Sequence, residues 1–232
     1  MRLVAKIARP GSGGAMIARL KPHLAATDLH ALFPAMVWQF QLKEETSGPI
    51  QAAVTRVLEE GRRRLPPLAR GQGWQSGYGL HKRTELRALV EIIELAGHGV
   101  LTFLKVGAAE FQVTGCWATV LAPGAAHPVH HHPNNFLSGV YYVRTPAGAD
   151  TIYFHDPRPQ AGVIRPPVTE LTRENTDLAV IQVRPGMLLL FPAWLPHSVP
   201  ENASAEERVS LSFNIMFPRY AEELSRPLWG EE

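Results

Sequence analysis

The strongest fold signal in the sequence is the run Arg208-Val209-Ser210-Leu211-Ser212-Phe213-Asn214-Ile215, in which polar and apolar side chains alternate without a break. Successive side chains on a β-strand point to opposite faces of the sheet, so this run predicts a strand with one polar and one apolar face. If the apolar face packs beneath other elements, the polar face of Arg, Ser, Ser and Asn lines an interior. A barrel with that interior is suited to hold a polar ligand.

Other short runs rich in β-branched and aromatic residues have the same character, and Pro-Gly and related turn signals separate them. The predicted strands cover residues 111–121, 129–132, 137–143, 151–154, 178–183, 187–191 and 208–217. The predicted class is mainly β (α+β), as a small barrel or double-layer jelly roll with helices packed on one outer face. We expect one domain over residues 1–232, with about 1–100 as a helical support region and about 101–220 as the β core.

Two amphipathic helices are predicted before the main strands. The first begins at Pro49, a residue suited to the first turn of a helix, and continues to Gly61. The second begins at about Thr84, has apolar residues at helical spacing from Leu86 onward, and ends at Gly97. Both helices need an apolar surface to cover, and the β core supplies one.

Composition excludes several classes of function. The chain has 23 basic and 21 acidic side chains and a net charge of +2, so we expect no nucleic-acid partner. No segment approaches the ~20 apolar residues of a membrane span, and charged residues interrupt the apolar patches of residues 1–20, unlike a signal peptide. Cys116, the single cysteine, fits a reducing compartment. We expect a cytoplasmic protein with a small-molecule substrate and no membrane partner, and a homodimer stays open as its assembly.

A histidine cluster is the clearest chemical signal. In the stretch His130-His131-His132-Pro133 the outer imidazoles are two residues apart, and on a strand that spacing points both to one side. His197 follows far downstream. Three converging imidazoles suit Fe, Zn, Cu or Ni about equally. The alternative interpretation is a surface histidine tract, which would also include His127.

Further motifs connect this cluster to a family. They are Trp117, His130-x-His132-Pro133, Leu137-Ser138-Gly139-Val140-Tyr141-Tyr142-Val143, Asp156-Pro157-Arg158, Pro185-Gly186-Met187-Leu188-Leu189-Leu190-Phe191-Pro192, His197, Arg208 and Asn214. Together they resemble a bacterial family of iron(II)/2-oxoglutarate-dependent oxygenases, and Gly73-Trp74-Gln75-Ser76 is similar to an upstream element of that family. The resemblance spans about residues 30–220. It implies a single oxygenase domain with the double-stranded β-helix fold.

The resemblance also implies a ligand set. In the wider superfamily two histidines and one carboxylate hold iron(II) and leave positions open for 2-oxoglutarate and O2. By position, His130, His132 and His197 correspond to these catalytic metal ligands, and His132 stands where the carboxylate is usual. Three neutral ligands leave the iron with nearly two full positive charges. A halogenase-like vacancy, a three-histidine dioxygenase without 2-oxoglutarate, and a contribution from Asp156 all remain open alternatives.

Co-substrate residues are expected on the last strand and beside it. Arg208 is permanently charged and planar, so it can bind both oxygens of the distal carboxylate of 2-oxoglutarate. Alone, it could equally form a surface salt bridge with Glu206 or Glu207. Ser210 shares the face of Arg208, and the resemblance implies that Tyr142 hydrogen-bonds to the same carboxylate.

The implied reaction converts 2-oxoglutarate and O2 to succinate and CO2 while a bound small molecule or amino-acid-like substrate is hydroxylated. Trp117 and Thr119 share a strand face, and Asn214 lies on the interior face of the last strand, so these three are the candidate substrate contacts. The sequence does not distinguish hydroxylation from desaturation or halogenation.

Two rival functions fit part of the pattern. Gly124, five residues and His130-x-His132 match the opening of a cupin motif, although its usual glutamate is missing. A cupin-type three-histidine dioxygenase or isomerase would use no 2-oxoglutarate. The second rival is a non-catalytic metal-binding sensor barrel. Nucleic-acid demethylation shares the implied fold but would require a basic groove.

Overall fold

The computed structural model describes residues 21–23, 25, 32–107, 110–164, 166–172 and 174–218. Its strands are β1 (Trp38–Gln41), β2 (Gly73–Gln75), β3 (Gln112–Leu121), β4 (His127–His130), β5 (Leu137–Arg144), β6 (Thr151–His155), β7 (Leu178–Gln182), β8 (Met187–Pro192), β9 (His197–Val199) and β10 (Arg208–Met216). The α-helices are α1 (Glu44–Arg62) and α2 (Arg87–Phe103), and short 3-10 turns cover Lys21–His23, Leu80–Lys82, Thr84–Leu86 and Pro159–Gly162. Within these residues, no helix combines the length and the apolar character that crossing a membrane requires.

The strands form two antiparallel sheets. The larger sheet has the order β1-β8-β5-β10-β3-β2, and the smaller one has the order β4-β9-β6-β7. Residues of both sheets line one shared interior. Two antiparallel sheets packed face to face form a jelly roll, which confirms the predicted double-stranded β-helix.

The helices cover the outer face of the larger sheet. Leu211 and Phe213 of β10 are fully buried there, together with Val54 of α1 and Ile93 of α2. Full burial of such a side chain stabilises the fold by about 1.5–3 kcal/mol. The predicted division of β10 is therefore confirmed, because its apolar side chains pack beneath the helices while its polar ones face the interior.

A second apolar cluster lies between the sheets. It contains Tyr142 and Phe191 from the larger sheet and Ile152 and Phe154 from the smaller one. Beside this cluster the space between the sheets stays open as a cavity of about 260 Å³. The jelly roll is thus solid on one side of its interior and hollow on the other.

Helix α1 begins earlier than predicted. It begins at Glu44 rather than at Pro49, because Glu44 and Glu45 place negative charge at the positive end of the helix dipole. Pro49 lies inside the helix, where it removes one backbone hydrogen bond. Burial of Ile50 and Val54 against the sheet offsets that loss.

Helix α2 continues past Gly97, where the sequence predicts its end. It begins at Arg87, after the 3-10 turn Thr84–Leu86, and ends at Phe103. A Cβ atom at residue 97 would lie 2.8 Å from the Phe111 ring and 3.2 Å from Ile215. Gly97 is therefore a packing residue that lets the helix approach the sheet closely.

Three short strands are not predicted by the sequence pattern. β1 and β2 come from the region expected to be helical support, and they pair with β8 and β3 at the two edges of the larger sheet. β9 has three residues, too few for alternation to show. The remaining strands lie within two residues of their predicted bounds. The glycine-rich stretch at residues 11–14 lies outside the described residues.

Candidate active site

The cavity between the sheets opens to solvent beside Tyr78, whose side chain is 64 % exposed. The residues predicted as site residues all line it: His130, His132, His197, Tyr142, Arg208, Ser210, Trp117, Thr119 and Asn214. The rest of the wall is formed by Gln75, Tyr78, Leu121, His127, Val140, Ile152, Val199 and Ser212. No Asp, Glu or Lys belongs to this wall as far as the described residues define it.

Three histidines converge in the cavity. His130 ends β4 and lies opposite His197, which begins β9, and their ring centroids are 4.2 Å apart. The His132 ring lies 5.1 Å from that of His130 and 5.2 Å from that of His197. One ring nitrogen from each residue lies within 4.8 Å of the others. Nitrogens bound to one cation are about 3–4 Å apart, so a small rotation of the rings would enclose a metal ion.

A turn positions His132, whereas the sequence predicts a strand. β4 ends at His130, so the prediction that one strand presents both imidazoles is wrong, although the side chains do converge. The backbone N–H of His132 donates to the carbonyl oxygen of Ala193 at 2.9 Å. This hydrogen bond ties the segment after β4 to the loop before β9, and it brings His132 to His197.

Backbone carbonyl groups orient two of the imidazoles. His197 Nδ1 lies 2.9 Å from the carbonyl oxygen of Leu195, and His130 Nδ1 lies 2.9 Å from that of Pro128. A ring that donates its Nδ1–H to a carbonyl keeps the lone pair of Nε2 for a metal. His127 lies behind this arrangement, with its Nδ1 at 3.1 Å from His130 Nδ1.

Burial keeps the imidazoles neutral. It lowers the pKa of His197 to about 3 and that of His132 to about 4, and it also lowers the pKa of His130. The neighbouring imidazoles act in the same direction, because a second positive charge close by would be repelled. A neutral imidazole is the form that binds metals, so the site is prepared for a cation at neutral pH.

No carboxylate joins the three imidazoles among the residues that the structure describes. Asp156 is not a wall residue of the cavity; it accepts hydrogen bonds from the backbone N–H of Arg158 at 3.0 Å and from its guanidinium at 2.8 and 2.9 Å. The geometry therefore gives Asp156 a structural role in the turn after β6. The metal-binding groups of this site are three neutral nitrogens.

Arg208 is buried in the cavity wall, with 2 % of its surface exposed. Its Nε donates to the carbonyl oxygen of Ala149 at 3.0 Å, and its Nη1 lies 3.4 Å from Ser210 Oγ. Its Nη2 has no hydrogen-bond partner within the described residues, and burial lowers the pKa of the guanidinium. A buried charge of this kind needs an anionic partner.

Tyr142 completes a receptor for that anion. Its ring centroid lies 5.3 Å from the Arg208 guanidinium carbon, and its buried hydroxyl makes no hydrogen bond to a described residue. Burial raises the pKa of this phenol to about 12, so the hydroxyl keeps its proton and can donate it. Ser210, Tyr142 and Arg208 together present donors with unused capacity, which fits one carboxylate group.

The surface salt bridge considered for Arg208 is not formed. Glu207 instead accepts two hydrogen bonds from Arg62, at 2.8 and 2.9 Å, and lies 3.8 Å from Arg144. Burial faces Arg208 inward while its neighbour in sequence faces the helices. Adjacent residues on a strand point to opposite faces, which explains the separation.

The wall opposite Arg208 combines aromatic and uncharged polar groups. Tyr78 and Trp117 lie with their ring centroids 5.0 Å apart, and Trp117 lies 5.7 Å from His132. Gln75 Nε2 donates to Thr119 Oγ1 at 3.4 Å, and Ser138 Oγ donates to Asn214 Oδ1 at 2.7 Å.

Sequence reasoning missed Gln75 and Tyr78 as wall residues. Gln75 belongs to the element Gly73-Trp74-Gln75-Ser76, but the strand that carries it, β2, is too short to reveal its facing. Tyr78 follows in a loop, and its backbone carbonyl accepts a hydrogen bond from the Cys116 N–H at 2.8 Å. Only this contact, which no sequence pattern indicates, brings Tyr78 against Trp117.

Comparisons with known proteins agree with this geometry. Residues 115–214, which contain the three histidines and Arg208, match the family described as "Putative 2OG-Fe(II) oxygenase". No protein among those with curated functions matches the chain.

Solved structures of similar fold include a Pseudomonas putida prolyl-4-hydroxylase, at 15 % identity and a TM-score of 0.54, covering 81 % of this chain and 95 % of that one. The non-haem alpha-ketoglutarate-dependent carbocyclase SnoK from nogalamycin biosynthesis has 17 % identity, a TM-score of 0.57, and coverage of 79 % of this chain and 80 % of its own. The epimerase SnoN, solved with Fe3+, alpha-ketoglutarate and nogalamycin RO, has 14 % identity, a TM-score of 0.55 and 79 % coverage of both chains. At these identities the likeness shows the fold.

Proposed function

Because residues 115–214 belong to the 2OG-Fe(II) oxygenase family, we propose that this protein hydroxylates a small molecule or an amino-acid-like substrate, with release of succinate and CO2. The observation that carries the proposal is the meeting of two receptors in one cavity. Three neutral imidazoles converge at one point of it, and a buried guanidinium with an unpartnered nitrogen faces the same space.

The three imidazoles are proposed to hold iron(II), the metal of this family. His130 and His197 offer Nε2, since backbone carbonyls engage Nδ1 of both rings. His132 approaches from the turn after β4 and completes a set of three, which leaves coordination positions open. The bound metal, with 2-oxoglutarate and O2, supplies the oxidation of a C–H bond.

Arg208, Ser210 and Tyr142 are proposed to bind the distal carboxylate of 2-oxoglutarate. The guanidinium provides a fixed planar fork, and Ala149 holds its Nε so that the remaining nitrogens face the cavity. Their burial excludes water, which strengthens each hydrogen bond to a charged group. The chain thus orients one end of the diacid and leaves its other end for the metal.

Trp117, Thr119 and Asn214 are proposed as the substrate wall. They lie on β3 and β10, the neighbouring strands that also carry Arg208 and Ser210. A wall built on paired strands is rigid, so it can hold one C–H bond in a fixed position beside the metal. The similar fold of a hydroxylase, a carbocyclase and an epimerase leaves the outcome at that bond to experiment.

The proposal also covers the setting of the enzyme. We place it in the cytoplasm, where a buried thiol such as Cys116 stays reduced, and we assign it a small molecule, rather than a nucleic acid or a membrane, as partner.

The decisive experiment measures the coupled products. The purified protein is supplied with iron(II), 2-oxoglutarate, ascorbate and O2, and succinate is quantified against O2 consumed. We expect succinate formation that requires both iron and 2-oxoglutarate, slow without substrate and faster with it. Metal binding without any affinity for 2-oxoglutarate would overturn the proposal in favour of a cupin-type enzyme or a sensor barrel.

A further inference from the structure

The charge of the assembled site is unusual, and its count rests on the proposed function. With three neutral ligands, iron(II) keeps both of its positive charges, and Arg208 adds a third. A 2-oxoglutarate dianion neutralises two of them. One positive charge therefore remains uncompensated, whereas a carboxylate ligand in place of His132 would have brought the sum to zero.

The walls of the cavity do not supply the missing negative charge. Within the described residues they contain no Asp or Glu. The nearest acidic side chain along β10 is Glu207, which is occupied by Arg62 on the helix side of the sheet. A net positive charge in a partly enclosed space attracts an anion and repels a cation.

Two polar groups of the wall are prepared as hydrogen-bond donors. The oxygen of Thr119 accepts from Gln75, so its own proton is left to donate. The amide oxygen of Asn214 accepts from Ser138, so its NH2 group is left to donate. Both side chains line the cavity, and each has its acceptor engaged by a neighbour.

We infer that the primary substrate carries a carboxylate group, which Thr119 and Asn214 receive beside the metal site. The donor polarity of the wall and the uncompensated charge are independent observations, and both favour an acceptor with negative charge. A substrate with an ammonium or guanidinium group at this place is excluded by the same two observations.

The inference is tested on the cobalt(II)-loaded protein under nitrogen, where no turnover occurs. With 2-oxoglutarate at saturation, three small probes of similar shape are compared: propionate, propionamide and propylammonium. The readout is the paramagnetic relaxation of the probe methyl protons, which reports closeness to cobalt even for weak binding. We expect an enhancement for propionate at least about tenfold larger than for either other probe, as a unit charge at short range would give.

Variants with matched shapes separate the two contributions. Asn214→Asp keeps the acceptor for Ser138 but removes the donor and adds a negative charge, so the propionate effect should fall about tenfold. Thr119→Val removes one donor at constant shape and should lower it about threefold. His132→Asp, which supplies the missing charge, should abolish the preference for propionate over propionamide. Circular dichroism confirms that each variant is folded.

Two results would overturn the inference. One is equal relaxation of propionate and propionamide, and the other is a propionate effect that disappears as 2-oxoglutarate is raised, because the probe would then occupy the Arg208 site. Calorimetric binding of 2-oxoglutarate is measured on the same samples. If 2-oxoglutarate binds and the preference is missing, only this inference fails; if 2-oxoglutarate does not bind, the proposed function fails first.

Discussion

Replacing Arg208 by alanine tests the co-substrate assignment most directly. In the structure its Nη2 has no partner and its Nη1 is held only by a long contact to Ser210 of 3.4 Å, so two N–H groups are available to a carboxylate. Each charge-assisted hydrogen bond contributes about 1.5–3 kcal/mol. Because paired bonds are not additive, we take about 3–5 kcal/mol in total, which is roughly a hundred- to several-thousand-fold in affinity.

The measurement is a calorimetric titration of 2-oxoglutarate into the cobalt(II)-loaded variant under nitrogen, with metal affinity determined separately. Metal binding should be retained, because Arg208 bonds to Ala149 and Ser210 rather than to an imidazole. Arg144→Ala is the matched control, since that side chain is 51 % exposed and lies outside the cavity. Affinity for 2-oxoglutarate within about threefold of the wild type, less than the loss of one such bond, would refute the assignment.

Four other outcomes are expected. His197→Ala should abolish both metal loading and turnover, and a variant that still binds one equivalent of iron would remove His197 from the ligand set. Acid should destabilise the metal-free protein progressively from about pH 6.5 toward pH 3, because the unfolded chain protonates His197 while the folded state, whose pKa is lowered to about 3, does not; urea unfolding at several pH values measures this, and His197→Asn should flatten the profile. Asp156→Asn should leave metal affinity unchanged in a competition titration, since the carboxylate serves Arg158, and a large loss would restore it as a ligand. Gly97→Ala should lower the free energy of unfolding by about 1–3 kcal/mol, because its Cβ would meet the Phe111 ring at 2.8 Å, whereas Gly99→Ala on the open face of the same helix should raise it by about 0.5–1 kcal/mol; equal effects would contradict the packing role.

Much of the fold could be predicted because alternation survives in long strands. β10 has nine residues and separates its two faces completely, so both its position under the helices and its contribution to the interior followed from the sequence. β1, β2 and β9 have four, three and three residues. Segments so short acquire their strand conformation from pairing with a neighbour, which a local pattern does not record.

The helix ends failed for a different reason. Gly97 is a residue that local rules assign to a helix end, but the tertiary contact with Phe111 requires a glycine within the helix. Pro49 is favoured in a first turn, yet two glutamates upstream extend the helix beyond it. In both places a contact or charge outside the local motif determines the outcome.

The site residues could be named because their chemistry is specific, while their geometry could not. Histidine spacing and the Arg-x-Ser pattern select the groups that line the cavity. The sequence did not show that His132 lies beyond its strand, nor that Tyr78 lies against Trp117. These depend on hydrogen bonds to Ala193 and Cys116, between segments far apart in the chain.

The pairing of β4 with β9 rests on two register positions, His127 with Val199 and His130 with His197. One of these two rungs consists of proposed ligands, and His132 adds a third chain segment immediately beyond it. An ion held there would act as a cross-link as well as a reagent, fastening the rim of the smaller sheet where backbone pairing is sparse. Starvation for metal would then loosen the architecture around the active site in addition to stopping its chemistry.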